Sequence, residues 1–138
     1  MPPPSNDAAL QLQLLPGTFF VSQLKPTEPL PTSILASLQN VNIGGKFLSI
    51  TRTNDEISIV GEVNFEHNAE DATWSCIKIT GPMDFGLTGI MCDLSNPLKR
   101  AGIPIFALST WNTDYVLVPK NKADAAVQAL RDDGWKFT

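Results

Sequence analysis

Fourteen consecutive residues of this chain resemble a second stretch further along it. FLSITRTNDEISIV (47–60) lies over IFALSTWNTDYVLV (105–118) without a gap when the sequence is shifted by 58. Thr51 then meets Ser109, Asn54 meets Asn112, Glu56 meets Asp114 and Val60 meets Val118. Each copy alternates apolar and polar residues on both sides of a turn-forming centre, the signature of a β-hairpin. The same shift lays FFVSQL (19–24) over IKITGP (77–82). Self-similarity at a fixed offset marks a repeated structural unit. Shared hairpin chemistry alone accounts for part of the match, and a duplicated lobe accounts for all of it.

The segments around the repeats complete the outline. LQLQL (10–14) alternates as a half-buried strand, and Pro16-Gly17 turns it into the strand TFFVSQL (18–24). Pro26, Pro29 and Pro31 stiffen a connection to a short helix at 33–38, capped by Thr32 or Ser33. The hairpin 46–53 and 56–63 follows, then a polar loop over 64–73 and the strand WSCIKIT (74–80). Leu87, Ile90, Met91, Leu94 and Leu98 share one helical face behind a cap at Asp84. Pro97 breaks that helix unless Ser95 or Asn96 restarts it, and Gly102 ends it. A hairpin over 103–110 and 114–118 leads to a helix capped by Asn121, with Ala123, Ala126, Val127 and Leu130 inward, stopped by Gly134 before WKFT.

The later half therefore reads β-α-β-β-α-β, an order that gives a four-stranded antiparallel sheet with two helices on one face. The expected division is a disordered tail over 1–9, a first lobe over 10–65 with a degenerate second helix, a linker over 66–73 and a second lobe over 74–138. The class is α+β, two ferredoxin-like lobes.

Bulk properties narrow the function. A net charge of −4 with scattered Lys and Arg offers no basic field for a nucleic-acid backbone. No apolar run approaches the ~20 residues a spanning helix needs, and MPPPSNDAA lacks the pattern of a secretory signal. Cys76 and Cys92 are expected as buried apolar thiols, and the cytoplasm as the compartment. His67 is the one histidine, in a polar loop; with Glu66, Glu70 and Asp71 it is a solvated charge run before it is a metal set. No catalytic triad or phosphate-binding loop is present, so no catalytic residue, metal or cofactor is assigned.

GPMDFGLTG (81–89) is the least ordinary run. It joins a strand to a helix with an Asp and two internal glycines. One reading is structural: Asp84 caps the helix, Gly86 and Gly89 allow tight packing, and Asp114 belongs to a turn. The other is a site, because a helix N-terminus presents unpaired N–H groups and partial positive charge to an anion.

GPMDFGLTGI, PLKRAGIPIFALSTWNTDYVLV and the helix ending ALRDDGW closely resemble the ACT-domain family. The nearest branch is the CASTOR-like one, which holds arginine sensors and small bacterial and fungal tandem-ACT proteins. LLPGTFFVSQL and FLSITRTNDEISIV resemble the first lobe of those small members, so the likeness runs from Leu10 onward. It implies regulatory modules that bind amino acids at lobe or subunit interfaces and commonly pair as homodimers.

By position it implies ligand contacts at Met83, Asp84, Phe85, Thr88 and Gly89, and at Ser109, Thr110, Trp111, Asn112, Thr113 and Asp114. A ligand carboxylate would lie over Phe85–Thr88, with Asp84 or Asp114 taking its ammonium group. Trp111 replaces a smaller aromatic and narrows such a pocket. Arg52, which the 58-residue shift sets over Thr110, is either a carboxylate partner or a solvated strand arginine. The expected function is a regulatory protein without catalysis that binds a small molecule, an amino acid first, and signals to a downstream partner. The alternatives are an enzyme or accessory acting on an amino-acid-derived metabolite, and a ligand-free interaction module.

Overall fold

The computed structural model describes residues 7–40, 46–63, 72–83 and 89–138. The chain divides into two compact units. One combines Met1–Gly17 with Thr73–Thr138, and the other, Thr18–Ala72, is inserted within it.

The inserted unit runs β2 (Phe19–Leu24), α1 (Thr32–Gln39), β3 (Leu48–Arg52) and β4 (Ile57–Glu62). Strand β4 pairs antiparallel with both β2 and β3, so the order is β3-β4-β2. Alternation places Ile57 and Ile59 with Ile34 of α1 in one apolar cluster, joined by Phe20, Leu24, Leu48 and Ile50. Phe19 and Phe47 meet edge to face at 5.8 Å. Helix α1 spans Thr32–Gln39 with Pro31 at the cap position, so neither Thr32 nor Ser33 is its cap. Proline is suited to this end of a helix, where its missing N–H deprives the helix of nothing.

The second unit contains β5 (Trp74–Ile79), α2 (Ile90–Arg100), β6 (Phe106–Ser109), β7 (Asp114–Pro119) and α3 (Ala123–Asp132). Strand β7 lies between β5 and β6, antiparallel to both. Strand β5 also pairs antiparallel with β1 (Leu12–Leu14), with Leu12 opposite Ile79 and Leu14 opposite Ile77. This departs from the expected layout in two ways. The segment LQLQL, assigned above to the first lobe, completes the sheet of the second. The WKFT segment, expected there, instead runs parallel to β1 and outside it, through Leu12 N–H to Lys136 O and Thr138 N–H to Leu12 O, both 2.8 Å. Leu12 is fully buried and Leu10 nearly so, which is why this strand belongs to the larger core. Ala8–Leu10 forms a short 3-10 turn capped by Asp7 Oδ1, so residues 7–9 are part of the fold and not of a tail.

That core gathers Ile90, Leu94 and Leu98 of α2, Ala126 and Leu130 of α3, and Ile77, Ile79, Val116 and Val118 of the sheet. Each fully buried Leu or Ile stabilises by about 1.5–3 kcal/mol relative to exposure. Both helices end in a Schellman turn, with Gly102 at φ 71° and Gly134 at φ 101°. Ile103 N–H then reaches Leu98 O and Trp135 N–H reaches Leu130 O, each at 3.0 Å, which turns Ile103 and Trp135 into the core.

Helix α2 is continuous through Pro97, which is buried, so the expected break does not occur. Its N-cap is Gly89 and not Asp84. Cys76 is buried as expected, whereas Cys92 is exposed, because the buried stripe of α2 follows Ile90, Leu94, Pro97 and Leu98 and leaves Cys92 facing away. Asn121 lies inside a 3-10 turn (Lys120–Lys122) ahead of α3 and caps nothing. No helix among the described residues is long and apolar enough to cross a membrane.

The two hairpins match each other with a different offset. The β3–β4 turn is Thr53-Asn54-Asp55-Glu56 and the β6–β7 turn is Thr110-Trp111-Asn112-Thr113. In each, the first threonine's N–H donates to the fourth residue's carbonyl at 2.9 Å. The threonine Oγ1 also bonds that carbonyl and the fourth N–H in both turns. Thr53 therefore corresponds to Thr110, an offset of 57, and β2 corresponds to β5 at an offset of 55 (Phe19 to Trp74). The 58-residue alignment is off by one in the hairpin, and one residue moves every strand side chain to the opposite face. Ile59 corresponds to Val116, both facing helices, and Arg52 corresponds to Ser109 rather than Thr110.

Candidate functional site

Strand β5 leaves the sheet at Thr80, and the following residues are tied on two sides. Toward β1, Thr80 N–H donates to Gln11 O and Gly81 N–H to Ala9 O, both 2.8 Å, while Gln13 Nε2 reaches Thr80 Oγ1 at 3.2 Å. Toward the β6–β7 turn, Met83 N–H donates to Asn112 O at 2.7 Å. Thr113 Oγ1–H donates to Ile79 O at the same distance. Between these bonds sits Gly81, with φ +66°; a Cβ built there would lie 2.9 Å from Thr113 Cβ and 3.3 Å from Asn112 O. Only glycine combines that backbone angle with so close a neighbour.

The structure thus brings Met83, Asn112 and Thr113 together from among the expected contacts. Met83 is half-buried and packs against the larger core. Its amide already has an acceptor, so it is not open to a ligand carboxylate unless Asn112 moves. Thr113 is 3% exposed, with its hydroxyl bonded inside the protein, so its side chain supports the turn. Ser109 and Asp114 face each other at the base of the hairpin, and Thr110 closes the turn. Trp111, at the tip, is 80% exposed. Gly89 stands at the N-terminus of α2 with φ 78° and open space around its α-carbon. Its carbonyl accepts the first helical bond, from Asp93 N–H at 2.9 Å, and it supplies no side-chain cap. The positive end of the helix dipole is therefore not neutralised by its own cap residue. Asp84, Phe85 and Thr88 lie outside the described residues, as do His67, Glu66, Glu70 and Asp71.

Ala9, Gln11, Thr80 and Gly81 hold this region in place, and none was a candidate from the sequence. Gly81-Pro82 carried a turn signal, but its partners lie some seventy residues upstream and no local pattern links them. The three tryptophans do not form a stacking surface: Trp135 is in the core, Trp74 packs on Phe106 at 6.4 Å, and Trp111 is at the turn. Among the described residues no three or more of His, Cys, Asp and Glu gather as metal ligands. On the reverse face of the sheet, Lys78 Nζ sits 6.0 Å above the Tyr115 ring. Burial, and then the nearby Cys76 thiol, push the Tyr115 hydroxyl above its ordinary pKa.

Residues 70–132 match the ACT-domain family profile. Human CASTOR3P is 31% identical over 128 residues, which is 82% of this chain and 76% of that protein. The bovine (Bos taurus) cytosolic arginine sensor for mTORC1 subunit 1 is 34% identical over 64 residues, but that match spans only 20% of the sensor. Among solved structures, Atu0741 from Agobacterium tumefaciens superposes with a TM-score of 0.73 at 33% identity, over 93% of this chain and 91% of that one. The regulatory subunit of aspartate kinase from Thermus thermophilus gives a TM-score of 0.61 at 12% identity, over 93% of this chain and 99% of that one, a likeness of fold alone. The α+β architecture, the profile and these long matches agree, and the chain belongs to the ACT-domain family, within its CASTOR-like group.

Proposed function

We propose that this protein is a regulatory module that binds a free amino acid beside the β6–β7 turn and the N-terminus of α2, and carries out no catalysis itself. The observation that carries the reading is the locked junction of Met83, Asn112 and Thr113, which holds an exposed Trp111 on a fixed turn in the same unit as the start of α2, whose N-cap Gly89 has no side chain. A helix N-terminus attracts a carboxylate and an aromatic face attracts an ammonium or guanidinium group, so the pair suits an α-amino acid. The likeness to a named arginine sensor makes a basic amino acid the first to try. In this reading the two units derive from one duplicated ACT lobe, the chain works in the cytoplasm as a homodimer, and ligand binding shifts an equilibrium that a downstream partner reads.

The test is a thermal-shift screen of the purified protein against the proteinogenic amino acids. A ligand that binds only the native state stabilises it by about 2.7 kcal/mol at a hundredfold excess over Kd. One selective hit, lost in Trp111→Ala, supports the proposal. No hit across the panel sinks it in favour of the interaction module, a reading that the occupied Met83 amide also favours.

A further inference from the structure

We infer that Thr113 is a positioning residue: its buried hydroxyl latches the β6–β7 turn to the exit of β5, so that the turn and the stretch from Ile79 to Met83 move as one body. Thr113 is the one buried polar residue among the described residues. The β5–β7 pairing ends at Lys78 opposite Tyr115, and Ile79 O lies just past it. The Thr113 hydroxyl bonds that carbonyl at 2.7 Å, extending the ladder by a side chain where the backbones have parted. Two residues beyond Gly81, the Met83 amide returns to the same turn at Asn112 O, also 2.7 Å. Gly81 lies between the two bonds, pressed against the Thr113 side chain. Thr113 N–H and carbonyl are themselves held by Thr110.

The inserted unit provides the comparison. Its turn has the same Thr-based hydrogen bonds, but the residue corresponding to Thr113 is Glu56. The Glu56 carboxylate accepts an exposed bond from Gln23 Nε2 at 3.0 Å and ties down no strand carbonyl. The latch is therefore a property of the second unit alone and not of the repeated turn.

Local tethering of this kind is read by amide hydrogen exchange, which separates local from global opening. The proposal predicts that in Thr113→Val the amides of Met83 and Thr110 exchange at least about tenfold faster, while those of Ile77, Leu94 and Val116 are unchanged. Thr113→Ser, which keeps the hydroxyl, restores both. Unchanged Met83 exchange in Thr113→Val overturns the latch. So does an equal acceleration at the core amides, which marks a loss of general stability only. Should the valine variant fail to fold, Gly81→Ala presses on Thr113 from the opposite side with the hydroxyl intact, and the same reporters decide. The consequence for binding rests on the function proposed above: an amino acid found in the screen binds at least tenfold more weakly to Thr113→Val and normally to Thr113→Ser. The exchange result needs no ligand, so a failed screen refutes the sensor and leaves the latch to be judged by its own measurement.

Discussion

Gly81→Ala tests the junction most directly, because its two sources of strain separate. The first is the backbone angle: at φ +66° a Cβ crowds the following carbonyl and costs about 1–2 kcal/mol. The second is contact. The new methyl would lie 2.9 Å from Thr113 Cβ and 3.2 Å from its Oγ1, distances at which a buried, hydrogen-bonded neighbour has to shift. Overpacking of that kind costs about 1–3 kcal/mol. Together these give about 2–5 kcal/mol, or a fall in Tm of about 8–20 °C for a chain of this length. Gly102→Ala is the control, since Gly102 has φ +71° and nothing within 4 Å of the built Cβ. It should show the angular part alone, about 1–2 kcal/mol. Urea unfolding of both variants at constant slope gives the difference. If the two agree within about 0.5 kcal/mol, the packing of Gly81 on Thr113 contributes nothing and the reasoning about the junction is wrong.

Three further outcomes follow from the geometry. Trp135 Nε1 is buried without an acceptor among the described residues, so Trp135→Phe removes an unpaired donor as well as some packing. Its net change in urea unfolding should stay within about 1 kcal/mol, against 2–5 kcal/mol for Leu130→Ala in the same core. The Arg100–Asp133 pair at 2.9 Å joins the ends of α2 and α3, but Arg100 is 64% exposed; Arg100→Ala should cost well under about 1 kcal/mol and less still in high salt. Tyr115 is the one tyrosine, so absorbance near 295 nm follows it alone. Its folded pKa is raised, chiefly by burial, so the folded state binds the proton more tightly than the unfolded chain. Its contribution is complete below pH about 10 and declines as pH rises beyond that, a decline that Tyr115→Phe should abolish.

What the sequence made legible was local. The alternation of FLSITRT and EISIV, the glycine stops at 102 and 134 and the apolar stripe of α3 all translate into elements because each is decided within a few residues. The segment LQLQL was equally legible as a strand, but its partner was not, since pairing with Trp74–Ile79 depends on burial some sixty residues away. The likeness of the two hairpins was noticed and misregistered for a related reason. Identity of residue types favoured an offset of 58, whereas strand pairing and the Thr53 and Thr110 turns require 57. Of the candidate site, Met83, Asn112 and Thr113 do converge, but nothing in the string distinguishes a threonine that faces a ligand from one that bonds a strand carbonyl. Asp84 looked like a helix cap because caps of that type usually precede an apolar stripe, and the helix instead begins after Gly89.

The placement of β1 also bears on the order in which the protein can assemble on the ribosome. Leu12–Leu14 is synthesised before the whole of Thr18–Ala72, while its partners, Trp74–Ile79 and Lys136–Thr138, come after it. At roughly 5–20 residues per second, that strand waits several seconds with Leu10 and Leu12 exposed. The inserted unit, complete within one continuous stretch, is free to form in that interval and so shortens the effective loop that must close between β1 and β5. The pairing of β1 with β5 then follows synthesis of the inserted stretch, and until it occurs Leu10 and Leu12 are apolar surface that a chaperone would find to hold.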